Sequence, residues 1–236
     1  ADAAVHGSYA VGLQRPDSDL DVMSSVDLGV LLGRLRSRGL VGGVHERFRI
    51  LENVKWARIP RLILQHVPTS LEVDIVGASA DAYALERDEV VRLLLDADPR
   101  ARELAMLIGD WVRGRAPLMP PRRGFPNLYT FRIIGFHGLM ARAGGAILPP
   151  LAARGAEFDG TAAAASEAAP PAEELFREWL LRLSRSDAEG LWADLRSPWA
   201  VGTGWRVVDP AAGHLLTQFR GQQPQVIARL AAQSLG

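Results

Sequence analysis

His6-Gly7-Ser8-Tyr9-Ala10-Val11-Gly12-Leu13-Gln14-Arg15-Pro16-Asp17-Ser18-Asp19-Leu20-Asp21-Val22 decides how the chain folds. It reads as a Gly-Ser turn, a short helix start, a Pro-Asp-Ser turn and then a strand. Side chains alternate along a strand, so Asp19 and Asp21 share one face while Leu20 and Val22 point to the core. Two neighbouring like charges repel and raise each other's pKa unless a cation sits between them. A divalent metal is the simple remedy, and Mg2+ favours one or two carboxylates plus substrate phosphates. Taken alone, Asp-x-Asp is more often a polar turn feeding an edge strand. The upstream Gly7-Ser8 shifts that balance. A glycine lets backbone approach a phosphate, and a hydroxyl with successive N–H groups at a helix start can hold one.

The 236 residues suffice for one large domain or two modest ones. With 48% hydrophobic and 23% charged residues the composition is that of an ordinary globular protein. The formal net charge is zero, so no global basic field advertises nucleic acid, and any RNA contact has to be local. Positive charge is almost all arginine, Lys55 being the single lysine. Cysteine is absent, which excludes disulfides and thiolate metal sites. No apolar run reads as a bilayer span, so no membrane partner is expected.

Further along, Leu28, Leu31, Leu32 and Leu35 have helical spacing, with Asp27 as N-cap and Gly39 as stop. Three β-rich runs follow at 48–54, 57–67 and 71–76. In the last, Leu71, Val73 and Ile75 alternate with Glu72, Asp74 and Val76, so Asp74 faces away from the apolar set. The expected result is a small α/β unit over residues 1–80 with three carboxylates on one sheet face. From residue 81 to 236 the pattern turns helical. Helices are expected over 86–95, 99–115, 127–142, 172–184, 187–195 and 223–235, with Asp98-Pro99 as an N-cap followed by Pro at the first helical position. Residues 155–171 are rich in Ala, Gly and Ser and read as a mobile loop. Trp205 to Val208 is strand-like.

Several of these pieces together resemble one family, the RNA terminal nucleotidyltransferases of the DNA polymerase β superfamily, in the terminal uridylyltransferase and RNA-specific poly(A) polymerase branch. Gly7-Ser8 through Ser18-Asp19-Leu20-Asp21 resembles the family's G-S…S-D-[IL]-D signature, and Leu71-Glu72-Val73-Asp74-Ile75 the strand with the third catalytic Asp. Asp98-Pro99-Arg100 through Trp111 is similar to the family's D-P-R…K-x-W segment. Leu128-Tyr129-Thr130 is similar to its S-S-Y helix, Leu148-Pro149-Pro150-Leu151 to L-P-x-L, and Val208-Asp209-Pro210 to E-D-P. The matches run in family order from residue 7 to about 214.

The resemblance implies an α+β fold, with a polymerase-β-like nucleotidyltransferase sheet-and-helix domain (1–80) followed by an all-helical poly(A)-polymerase-associated domain (81–236). It implies that Asp19, Asp21 and Asp74 are catalytic and bind two Mg2+ (or Mn2+) ions. Gly7 and Ser8 would hold the nucleotide's phosphates, Arg113 would pair with the triphosphate, and Tyr129 would stack on the base. His214 stands near the place of a base-reading His. Trp111 is expected in the core. Some positions depart from the pattern. Gly109 stands where the family has a lysine, Leu128 where it has the Ser before the Tyr, and Arg87-Asp88 where it has a ribose-contacting Asn-Thr pair.

The activity implied is template-independent addition of UMP or AMP, from UTP or ATP, to an RNA 3′ end. The alternative is a catalytically weakened relative serving as an RNA-binding or scaffold subunit of a larger ribonucleoprotein assembly. Compartment stays open between mitochondrial and cytoplasmic. Residues upstream of Ala1 are expected, and an organellar protein with its leader there fits as well as a cytosolic one.

Overall fold

A computed structural model describes residues 3–39, 44–54, 60–77, 81–152, 156–159, 170–202, 204–217, 219 and 221–236. The chain forms two compact units, Ala1–Glu89 and Val90–Gly236.

The first unit is built on a five-stranded sheet of β1 (Ala3–His6), β2 (Leu20–Ser24), β3 (Phe48–Val54), β4 (Arg61–His66) and β5 (Leu71–Gly77), in the order β1-β2-β5-β4-β3. Only β2 and β5 run parallel; the other neighbours are antiparallel. A single turn of helix, α1 (Gly7–Ala10), follows β1, and α2 (Leu28–Ser37) follows β2. Asp27 caps α2 as expected, its carboxylate accepting from Gly29 N at 2.8 Å. The apolar stripe of α2 covers one face of the sheet. Leu32 is buried with Leu62, Leu64 and Ile75, and Val22, Leu28, Leu31, Leu35, Phe48, Ile50 and Val73 pack around them. Period-two alternation therefore sends Asp21 and Asp74 to the opposite face. Strand β1 was not expected from the sequence.

The second unit carries most of its core on helices. Helix α3 (Ala84–Ala97) crosses the division between the units, and α4 (Pro99–Gly114), α5 (Leu128–Met140), α6 (Ala172–Glu189) and α7 (Gln223–Gln233) follow. Asp98 caps α4, accepting from Arg100 N at 2.8 Å, and Asn127 caps α5, accepting from Thr130 N at 2.9 Å. Trp111, Phe131 and Trp179 interlock edge to face, with centroids 5.3–6.3 Å apart. Trp111 is core, as expected.

Two expectations are corrected. The second unit is not all-helical, because β6 (Leu191–Ala193) and β7 (Trp205–Val207) pair in parallel. Nor are 172–184 and 187–195 two helices. Ser184 and Ser186 donate back to the Leu181 and Leu183 carbonyls, at 2.8 and 2.6 Å, so the polar stretch stays within α6. The helix ends at Gly190, whose φ is +77°. Much of the expected mobile loop 155–171 lies outside the described residues.

Candidate active site

The first unit gathers its acids at the β2–β5 junction. Asp21 and Asp74 are register partners across the parallel pair, hence side by side on the sheet face away from α2. Asp19 lies just ahead of β2 and is exposed. It is delivered by a closed turn in which Arg15 N donates to Ser18 Oγ at 2.9 Å and Ser18 N to the Arg15 carbonyl at 3.0 Å.

Gly7 is held over this cluster. Its φ of +70° is a left-handed conformation that favours glycine, and a Cβ there would collide with the Asp21 carboxylate. Gly7 N donates to Asp88 Oδ2 at 2.9 Å, and Asp88 is buried. The Ser8 carbonyl accepts from Leu13 N at 2.9 Å, closing the turn that brings the chain back toward β2. His6, register partner of Asp21, buries an Nε2 that meets no hydrogen-bond partner among the described residues. Burial chiefly holds its pKa below the usual histidine value, against the pull of Asp81.

The electrostatics are those of crowded acids. Burial first, then Asp19, Asp74 and Asp88, push the Asp21 carboxyl up to about 7. Burial also raises Asp74, while the Arg61 guanidinium, 3.3 Å from its Oδ2, pulls it back. Asp74 Oδ1 is buried without a hydrogen-bond partner among the described residues. Among the described residues no three or more His, Asp or Glu side chains close into a group that could hold a metal ion. Asp74 Oδ2 is engaged by Arg61. The chemistry of the donor set nevertheless fits a hard divalent cation. Oxygen donors on adjacent strands, a raised Asp21 and an orphaned Asp74 oxygen are all conditions that such a cation relieves.

The remaining expected residues lie in the second unit. Asp209 is fully buried and organises a tight loop: its Oδ1 accepts from Ala211 N at 2.9 Å, and its N–H donates to the His214 carbonyl at 2.8 Å. Tyr129, in the first turn of α5, directs its hydroxyl to Asp209 Oδ1 at 3.5 Å, and His214 Nε2 stands 3.9 Å from Asp209 Oδ2. Asp209 therefore brings the expected base-stacking and base-reading residues to one place. Arg113, near the end of α4, lies 3.8 Å from Asp110. Arg87 is paired with Asp81 at 2.6 Å, in the first unit.

Sequence reasoning missed Asp88 as a member of the site. Its only signal was an acid in place of the expected Thr, because the contact that defines it spans 81 positions.

A sheet with paired strand-borne carboxylates beneath a Gly-Ser turn defines the nucleotidyltransferase fold of the polymerase β type. Solved structures place it more narrowly, as the fold of the RNA terminal nucleotidyltransferases. The chain is similar to the Cid1 poly(U) polymerase with a TM-score of 0.74 at 16% identity, over 99% of this chain and 80% of that one. It is similar to mtPAP in complex with UTP with a TM-score of 0.78 at 14% identity, over 99% of this chain and 58% of that one. A cytoplasmic RNA terminal U-transferase gives 0.72 at 17% identity, over 99% and 80%. mtPAP has also been solved with GTP and with CTP. No family model matches the chain, and no curated protein matches it by sequence. Among the described residues no helix is long and apolar enough to cross a membrane.

Proposed function

We propose that the protein is a template-independent RNA 3′-terminal nucleotidyltransferase that transfers UMP or AMP from the corresponding triphosphate. The observation that carries this reading is the register pairing of Asp21 with Asp74 beneath Gly7, on the sheet face that α2 leaves uncovered. The likeness to polymerases solved with nucleoside triphosphates supports it.

Asp19, Asp21 and Asp74 are the residues that would hold two Mg2+ or Mn2+ ions. When bound, such ions clamp the attacking and leaving oxygens of an in-line displacement. The chain's own groups do the rest. Ser8 brings its hydroxyl to the β- and γ-phosphates, and Gly7 lets the turn approach them while Asp88 holds the Gly7 amide and fixes the turn. Asp74 accepts the proton of the RNA 3′-hydroxyl. Tyr129 offers a ring face to the base, and His214 a polar edge. The first unit acts as the catalytic domain and the second as a poly(A)-polymerase-associated domain.

A second reading is an RNA-binding or scaffold subunit with little catalysis. The Asp74–Arg61 ion pair favours it, since a carboxylate engaged by a guanidinium is less available to a metal. Titration calorimetry with UTP and ATP separates the two. Mg2+-dependent binding at about micromolar Kd supports the enzyme, and none under either nucleotide supports the scaffold.

A further inference from the structure

The second unit holds a cavity of about 770 Å³ that the proposed chemistry does not use. It lies between the end of α5, the middle and end of α6, and the segment that follows β6. Tyr129 stands at the start of α5 and His137 near its end, roughly 12 Å apart along the helix axis, so the cavity is separate from the base-reading residues. Leu139, Leu175, Leu191, Trp179 and Trp192 form apolar walls, and the exposed Trp199 stands at the rim. Such a volume, with such a lining and a few fixed polar groups, is what a small-molecule site requires.

One cation interrupts the apolar walls. Arg182 of α6 lines the cavity, its Nη1 donating to His137 Nδ1 at 2.8 Å and its Nη2 to the Trp192 carbonyl at 2.7 Å. Neither acceptor is charged. Glu178, one turn earlier on α6, is engaged by Arg142 at 3.0 Å. Burial lowers the Arg182 pKa to about 10, and no acid pulls it back. The Nε1 donors of Trp179 and Trp192 are also buried without a hydrogen-bond partner among the described residues. A guanidinium in these surroundings carries a desolvation cost that a methionine at the same place would avoid. An anion in the cavity offsets that cost. A carboxylate matches the guanidinium edge in charge and geometry, and Glu189, also on the lining, disfavours a second negative charge. The tryptophan-rich wall favours a flat, apolar body behind the carboxylate.

We infer that this cavity binds a small aromatic monocarboxylate, with the carboxylate on Arg182 and the ring against the apolar wall. The inference goes beyond the nucleotidyltransferase reading and does not depend on it, since the site lies within the second unit and uses none of the residues assigned to nucleotide transfer. Gly138 allows the cavity to be blocked with Arg182 left in place. It lines the cavity, and the nearest atom a Cβ there would meet is Arg182 Nη1 at 3.9 Å. A leucine at 138 therefore has room to occupy the space beside the guanidinium, and within a helix leucine is favoured over glycine.

The test is calorimetric titration of the full chain with 1-naphthoate and with its uncharged counterpart 1-naphthamide, in the wild type, Arg182→Met and Gly138→Leu. The wild type should bind naphthoate with a Kd below about 1 mM, and about tenfold or more tightly than naphthamide. Arg182→Met keeps the apolar wall and gives up the charge, so it should bind the two probes within about twofold of each other. Gly138→Leu keeps the charge and fills the space, so it should weaken naphthoate about tenfold or more while melting no lower than the wild type.

A wild type that binds neither probe, or binds both equally, overturns the inference. So does a preference for naphthoate that survives in Arg182→Met, because the anion then sits elsewhere. If Arg182→Met does not fold, Gly138→Leu decides: loss of naphthoate binding at the wild-type melting temperature supports the inference, and unchanged affinity overturns it.

Discussion

Asp21 and Asp74 face each other as register partners on adjacent parallel strands, and the Cα of Gly7 is pressed against the Asp21 carboxylate. The Gly-Ser turn, β2 and the more distant β5 thus converge on two acids. Because burial and three neighbouring carboxylates hold the Asp21 proton up to about 7, the folded protein binds it more tightly than the unfolded chain does. The sign follows. Asp21 costs stability as pH rises from the usual carboxylate range to about 7, and the full cost is present above that. Asp21→Asn should therefore melt higher than the wild type near about pH 8, with the gap closing toward about pH 5. Millimolar Mg2+ should raise the wild-type melting temperature near about pH 8 and leave the variant unmoved. A variant that melts lower at both pH values would sink this account of the cluster.

Asp88 is the acceptor that pins the Gly7 amide, and its loss leaves that amide unsatisfied in a partly buried turn. Asp88→Ala should cost about 1–3 kcal/mol in urea unfolding. Gly7→Ala should cost a similar ~1–3 kcal/mol, from the left-handed backbone and the collision with Asp21. In both, RNA extension should fall by more than the stability loss explains at a temperature where the variant is folded. Full activity in Gly7→Ala would remove the Gly-Ser turn from the site.

His137 reports on the second unit. Burial, and then the Arg182 charge, hold its pKa down to about 3, against a smaller opposing pull from the Pro198 backbone. Arg182 Nη1 donates to His137 Nδ1 at 2.8 Å, so the neutral ring is the form that fits. The unfolded chain binds this proton near the ordinary histidine value of 6.5, and the folded one only near 3. Stability should fall as pH drops below about 6.5. His137→Gln should flatten that acid limb in melting curves taken between about pH 7 and pH 4, and an unchanged limb would assign the acid sensitivity elsewhere.

Tyr129 separates ring from hydroxyl. Tyr129→Ala should lose the stacking face and weaken nucleotide binding by about 1–3 kcal/mol in calorimetry. Tyr129→Phe keeps the face and gives up the 3.5 Å approach to Asp209, so it should bind within about twofold of the wild type. Equal losses in the two variants would make the hydroxyl, and not the ring, the contact.

Much of this architecture was legible in the residues because local physics wrote it there. Alternation in Leu71–Ile75 placed Asp74 on the face away from the core, and the caps Asp27 and Asp98 marked where helices begin. What escaped was set by contacts distant in sequence. Ala3–His6 is a run of only four residues, two of them alanines with little strand preference, and becomes a strand by pairing with β2. Ser184 and Ser186 look like a break until their hydroxyls are seen bonded within the helix. Asp88 gains its place only through Gly7.

The proposed transfer of nucleotides to RNA runs through the Asp19–Asp21–Asp74 cluster. Its most direct test is extension of a labelled RNA primer with each of the four nucleoside triphosphates separately in Mg2+, beside Asp74→Ala. The expected result is extension by the wild type with UTP or ATP and none by the variant. No extension with any triphosphate, or extension undiminished in Asp74→Ala, would contradict it.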